Sequence, residues 1–167
     1  GGESAEAKKG VDLFVCETMG SIVEAQVAAG AALESGLPVW VALTVDDDGS
    51  GRLRSGESLD GAVRALEPLG IAALLLNCST PEAIDAAWPD LAEAAVPIGA
   101  YANAFTSVAA LAPGGTVAAL EARSDLDPIA YAACAARWVE NGATIVGGCC
   151  ETTPAHVRAL AERLARG

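Results

Sequence analysis

Residues 145–154 read IVGGCCETTP: an apolar run that passes through paired glycines into adjacent cysteines and then into Thr-Thr-Pro. A hydroxyl residue followed by proline opens helices, because proline lacks only a donor that the first turn leaves unused. The stretch therefore reads as a strand ending where a helix begins, with Cys149 and Cys150 on the junction. Adjacent thiols do not readily bridge each other, since vicinal geometry strains a disulfide. The pair is either incidental or aimed at something that both sulfurs reach.

Working outward from that junction, the same grammar recurs. VDLFVCET (11–18), PVWVALTV (38–45), IAALLLNC (71–78), VPIGAYAN (96–103) and ATIVGGCC (143–150) are short apolar runs of the kind buried on both faces. Ser21 with Glu24 reads as a capping box opening a helix to about Ser35, a second helix opens near Ser58, and Ser79-Thr80-Pro81 opens a third. A helix over roughly Pro128 to Asn141 precedes the last strand, and another runs from Pro154 to about Arg166. Strand and helix alternate, which predicts an α/β domain with a parallel sheet and right-handed crossovers. Function in such sheets collects at the carboxyl ends of the strands. Here those ends carry Cys16-Glu17-Thr18, Thr44 with Asp46, Asn77-Cys78, Tyr101 with Asn103, and Cys149-Cys150.

Ten basic residues against 22 acidic give a net charge of −12, which repels phosphate backbones and anionic lipid. Nucleic-acid and membrane-surface roles are not expected. No run reaches the roughly 18 apolar residues that a membrane span needs, and the opening GGESAEAKKG has no apolar signal core. Residues 1–10 read as a tail or the end of a preceding helix, and 11–167 as one domain. Five unevenly spaced cysteines do not suit a secreted disulfide framework, so a reduced, cytoplasmic chain is expected.

Cysteine is often just a small buried hydrophobe. Cys134, in the alanine-rich AYAACAARW, and Cys16, on the opposite strand face from Glu17, read that way. Cys78, Cys149 and Cys150 stand apart because they fall on matching strand ends. Their sulfurs suit a soft ion such as Zn²⁺, which takes four ligands in a tetrahedron, so three thiols leave one position open. Gly147 and Gly148 are expected to allow a sharp turn and close approach to a ligand. Glu17 suits a substrate ammonium or is a solvated carboxylate; Asn103 bonds a polar ligand or caps a turn. His156, the single histidine, reads as a surface residue, and Asp46-Asp47-Asp48 as an exposed loop. No phosphate-binding glycine loop is present.

GGCC followed by TTPAHVRAL, NC after a leucine run, DLFVCET before an Ala/Glu helix, LPVWVALTVDDDG with RLRSGESL, and YANA together resemble the homocysteine S-methyltransferase family, in order from about Gly10 onward. The resemblance implies a (β/α)8 barrel of which this chain holds the C-terminal portion, about five βα units. It implies that Cys78, Cys149 and Cys150 hold zinc and that Glu17, Thr18 and Asn103 lie at the positions that hold homocysteine. The implied reaction moves a methyl group from a small donor (S-methylmethionine, S-adenosylmethionine or a betaine) to homocysteine, giving methionine. The family's YPNAG appears here as YANAF (101–105), and Glu151 follows the thiols. A full barrel takes about 250 residues. The resemblance therefore leaves a second chain completing the barrel, a longer parent chain, or a partial barrel that dimerises.

Overall fold

The computed structural model describes residues 10–106 and 120–166. The expected tail over 1–10 lies outside the described residues except for Gly10. The elements run β1 (Phe14–Met19), α1 (Ile22–Leu33), β2 (Val39–Leu43), α2 (Leu59–Leu66), β3 (Ala73–Asn77), α3 (Pro81–Leu91), β4 (Ile98–Tyr101), α4 (Pro128–Glu140), β5 (Ile145–Val146) and α5 (Pro154–Leu164). A single 3₁₀ turn, Glu67–Leu69, prolongs α2.

All five strands pair in parallel, in the order β1-β2-β3-β4-β5. A doubly wound sheet reverses its strand order at a switch point and so puts helices on both faces. Here the order never reverses. Right-handed crossovers then lay every helix on one side, as in the wall of a (β/α) barrel.

Strand alternation separates the two faces. Val39, Val41 and Leu43 of β2, Leu74 and Leu76 of β3, and Ile98 of β4 pack into the helix layer with Ala25, Leu59, Ile84 and Leu91. Each fully buried leucine there contributes about 1.5–3 kcal/mol relative to exposure. The other face carries Ala42, Ala73 and Leu75, with Trp40, Tyr101 and Ile145 against them. That inner layer is thin, and Val15 at its β1 end stays 42% exposed. This is how one sector of a barrel lumen looks.

Local chemistry fixes the helix starts. Thr80 caps α3 by accepting from Ala83 N at 3.3 Å, with Pro81 in the first turn. Asp127 caps α4 through Ile129 N and Ala130 N. At α1, Ser21 accepts from Glu24 N as expected, but the Glu24 carboxylate takes the N–H of Gly20, one residue earlier than a capping box requires. His156 is a correction: it is only 8% exposed. Its Nδ1 accepts from Thr153 N at 3.1 Å, which leaves the proton on Nε2 to reach Leu126 O at 3.2 Å. A side chain in the first turn of an exposed-looking helix is thus drawn inward by two backbone groups that need partners.

The last strand is shorter than the run 143–150 suggests. Only Ile145 and Val146 pair with β4, at Gly99 and Ala100. A Cβ on Gly99 would lie 2.0 Å from Ile145 O, so glycine is required for β5 to dock. Beyond Val146 the chain leaves the sheet but stays tied to it, through Gly147 N to Ala100 O and Cys149 N to Ala102 O. Among the described residues no helix is long and apolar enough to cross a membrane.

Candidate metal and substrate site

The strands deliver their polar ends to one rim. Cys78 follows β3 with φ +51°, a left-handed conformation that a non-glycine residue adopts only when its surroundings hold it. They do: Cys78 N donates to Tyr101 O at 3.3 Å, and the Arg54 guanidinium donates to Cys78 O at 2.6 Å. Next to it, the Ser79 hydroxyl is buried between Thr44 Oγ1 and the main chain of Val45.

Cys149 and Cys150 sit in the turn that leaves β5. Thr152 closes that turn by donating from both its N and its Oγ1 to Cys149 O, at 3.2 and 2.6 Å. Ala104 N reaches back to Cys150 O at 2.9 Å, which fastens the β4 exit loop to the thiol turn. From α4, the Tyr131 hydroxyl lies 2.7 Å from Gly147 O and 3.1 Å from Ala102 O, joining the ends of β4 and β5. The glycines act differently from the expectation. Neither has positive φ. Gly148 is needed because a Cβ would lie 2.3 Å from Thr152 Oγ1, whereas one on Gly147 would make only an ordinary contact with Tyr101.

The outcome is convergence. The Sγ atoms of Cys78, Cys149 and Cys150 all lie within 4.8 Å of one another, and Cys149 and Cys150 are 3.9 Å apart. Metal–sulfur bonds of about 2.3 Å at tetrahedral angles put sulfurs about 3.8 Å apart. The three thiols therefore fit a thiophilic ion with only a small contraction. Their ionisation agrees. Hydrogen bonding from Cys78 holds the Cys149 thiol down at about 6, against its partial burial. Cys78 is pushed up, first by that same bond and then by burial, and Cys150 is pushed up by burial and by the neighbouring Cys149 charge. One thiolate forms readily; three together need a cation. Cys16 and Cys134 pack against the core instead.

The expected substrate positions lie on the same rim. Glu17 is exposed on the inner side of β1, and Tyr101 donates to its Oε2 at 3.2 Å. Burial first, and then the Glu17 charge, push the Tyr101 phenol up, so it stays a donor. Thr18 has φ +63°; its N donates to Asn77 Oδ1 at 3.0 Å and its Oγ1 accepts from Asn77 Nδ2 at 2.9 Å. Asn103 is fully buried. Its Oδ1 accepts from Phe105 N, which is the turn-capping alternative, while its Nδ2 has no partner among the described residues. Asp46, Asp47 and Asp48 do form a loop, in which Asp47 accepts from Thr80 N and Asp48 from Ser50 N.

The sequence marked Asn77 and Tyr101 only as strand-end residues without a role, and it did not mark Arg54 or Tyr131. Asn77 and Tyr101 had a signal, as polar residues ending greasy strands. Arg54 and Tyr131 act through backbone carbonyls, and nothing in their sequence neighbourhood points to that.

A sequential parallel sheet with three thiols converging at its carboxyl rim defines a (β/α)-barrel protein with a trithiol site. Residues 3–164 match the family model described as homocysteine S-methyltransferase, and the chain belongs to that family. It is 32% identical over 164 residues to a methionine synthase of Mycobacterium leprae, covering 94% of this chain and 13% of that protein. It is 30% identical over 161 residues to homocysteine S-methyltransferase 3 of Arabidopsis thaliana, covering 95% and 45%. Among solved structures, the apo form of the homocysteine methyltransferase MmuM from Escherichia coli superposes with a TM-score of 0.71 at 27% identity, covering 96% of this chain and 53% of that one. The chain thus spans about half of the MmuM barrel and less than half of the two relatives.

Proposed function

We propose that this chain carries the thiol-acceptor portion of a zinc-dependent methyltransferase, which passes a methyl group from a small donor to homocysteine and yields methionine. The observation that carries the reading is the convergence of three thiols within 4.8 Å at the carboxyl rim. Cys78, Cys149 and Cys150 would hold the ion, whose chemistry is that of a Lewis acid favouring an ionised thiol at neutral pH. The chain's own residues do the rest. Glu17, steadied by Tyr101, offers a carboxylate to the substrate ammonium. Asn103 offers the buried Nδ2. Thr18 is held by Asn77 and shapes the rim between them. Proton loss from the homocysteine thiol frees the sulfur lone pair, which takes the methyl carbon as the donor's carbon–sulfur or carbon–nitrogen bond breaks. The protein's share is positioning. S-methylmethionine, S-adenosylmethionine and a betaine each meet the chemistry.

We place the protein in the cytoplasm, where its five free thiols stay reduced, and take residues 11–167 as one domain acting on small molecules rather than on nucleic acid or membrane. A second reading is favoured by the half-open inner face: a metal-holding partial barrel, inactive until an N-terminal half, a second chain or another copy completes it. Transfer of a labelled methyl group to homocysteine by the purified zinc-loaded chain tests the first reading. Zinc retention without turnover, with activity returning on addition of an N-terminal half, would establish the second.

A further inference from the structure

Arg54 stands out among the cations of this acidic chain. Arg64, Arg123, Arg137 and Arg166 each pair with a carboxylate. Arg52 is exposed and turns onto its own loop, donating to Gly56 O at 3.0 Å. Arg54 is half-buried, at the rim, and has no carboxylate partner among the described residues. Its N donates to Thr44 O at the end of β2, and the next residue, Ser55, donates to Gly20 O beyond β1. Its Nη2 then reaches Cys78 O beyond β3. The Arg54–Ser55 segment therefore ties the end of β2 to the exits of both neighbouring strands, and the Arg54 side chain makes the link to the β3 exit.

A guanidinium has five N–H donors in a planar fork, suited to a carboxylate bound through two parallel bonds. The bond to Cys78 O uses one. A half-buried cation with donors to spare, one hydrogen bond from the backbone of a thiol ligand, is suited to an anion. On the same rim Glu17 supplies the complementary charge. A zwitterionic amino acid whose sulfur sits at the thiol cluster has its carboxylate three carbons from that sulfur, close enough to reach across Cys78. We infer that Arg54 anchors the carboxylate of the thiol substrate and so selects an amino-acid thiol over a simple aminothiol. This rests on the proposed thiol-acceptor reading and adds to it the group that reads the acid end.

The test compares L-homocysteine with 3-aminopropane-1-thiol, which keeps the thiol and amine and lacks the carboxylate. Calorimetric binding to the zinc-loaded full chain is measured for the parent, Arg54→Gln and Arg54→Lys, with a thermal melt to confirm folding. A charge-assisted contact of about 1.5–3 kcal/mol corresponds to roughly a ten- to hundredfold change. Homocysteine binding should weaken by about that factor in Arg54→Gln and by less in Arg54→Lys, while the decarboxylated thiol changes less than about twofold. Equal weakening of both ligands would overturn the inference, since Arg54 would then act only by holding Cys78. Unchanged homocysteine binding in Arg54→Gln would overturn it too. If the folded parent binds neither thiol, the thiol-acceptor reading itself falls, and this inference with it.

Discussion

Asn77 and Thr18 lie on strands that are not neighbours, yet they exchange two hydrogen bonds over the end of β2: Thr18 N to Asn77 Oδ1 at 3.0 Å and Asn77 Nδ2 to Thr18 Oγ1 at 2.9 Å. The clamp draws the end of β1, where Glu17 sits, towards the residue that precedes Cys78. It also explains how Thr18 keeps φ +63°. Asn77→Ala removes both bonds from a fully buried site and leaves a void. About 2–3 kcal/mol of stability should go, two bonds of about 1 kcal/mol each plus the void. Thr18→Ala, which keeps the backbone bond, should cost about 1 kcal/mol. Urea titrations of both variants check the order; equal costs would mean that the clamp is not acting as a pair.

Gly147 and Gly148 look alike in the sequence and differ in the fold. An alanine at 148 collides with Thr152, which closes the turn bearing Cys149 and Cys150, while one at 147 has room. Gly148→Ala should destabilise by about 1–3 kcal/mol, the range of overpacking, and should weaken metal binding. Gly147→Ala should keep both within error. Thermal melts and metal titration of the two variants, side by side, separate them.

Glu82 and Asp125 share Arg123, whose guanidinium lies 2.6 Å from the first and 2.7 Å from the second. Hydrogen bonding to Arg123 holds both carboxyl groups below their ordinary range. A lowered carboxyl pKa adds stability that is complete above the unfolded value and lost as pH falls through the folded one. Stability should therefore decline as pH drops below about 5, the ordinary carboxylate range. Arg123→Met should flatten part of that slope. Glu82 is 64% exposed, so solvent screening keeps its share below about 1 kcal/mol. Urea midpoints at a series of pH values for parent and variant give the comparison. Parallel curves would count against the coupling.

The fold was legible in the sequence because parallel strands buried on both faces write themselves as apolar runs, and helix-opening residues such as Ser21 and Thr80 mark the turns between them. The thiol site was legible for a related reason: Cys78, Cys149 and Cys150 end such runs, and a parallel sheet brings its ends to one rim. Contacts that depend on shape rather than type were hidden. His156 lies in a polar-looking turn, and its burial follows from its bonds to Thr153 N and Leu126 O, which the sequence does not show. Gly99 carries no sign that Ile145 O will press against it. The Arg54 bond to Cys78 O joins residues 24 apart through a backbone atom, which side-chain patterns do not encode.

The metal site makes the last prediction. Among the described residues three sulfurs lie within 4.8 Å of one another, so losing any one leaves a two-sulfur site. Purified under reducing conditions and supplied with Zn²⁺, the parent should bind one equivalent, and Co²⁺ in its place should give the thiolate charge-transfer absorption of a sulfur-rich tetrahedral site. Cys78→Ala, Cys149→Ala and Cys150→Ala should each fall well below one equivalent. Cys16→Ala and Cys134→Ala remove core-packed thiols and should keep full stoichiometry while losing some stability. A strong chelator should strip the parent, and thiol titration should then count the freed sulfurs. Elemental analysis after gel filtration reads the result directly. Full zinc in all three site variants would end the assignment, because no arrangement of the remaining two thiols reproduces the site.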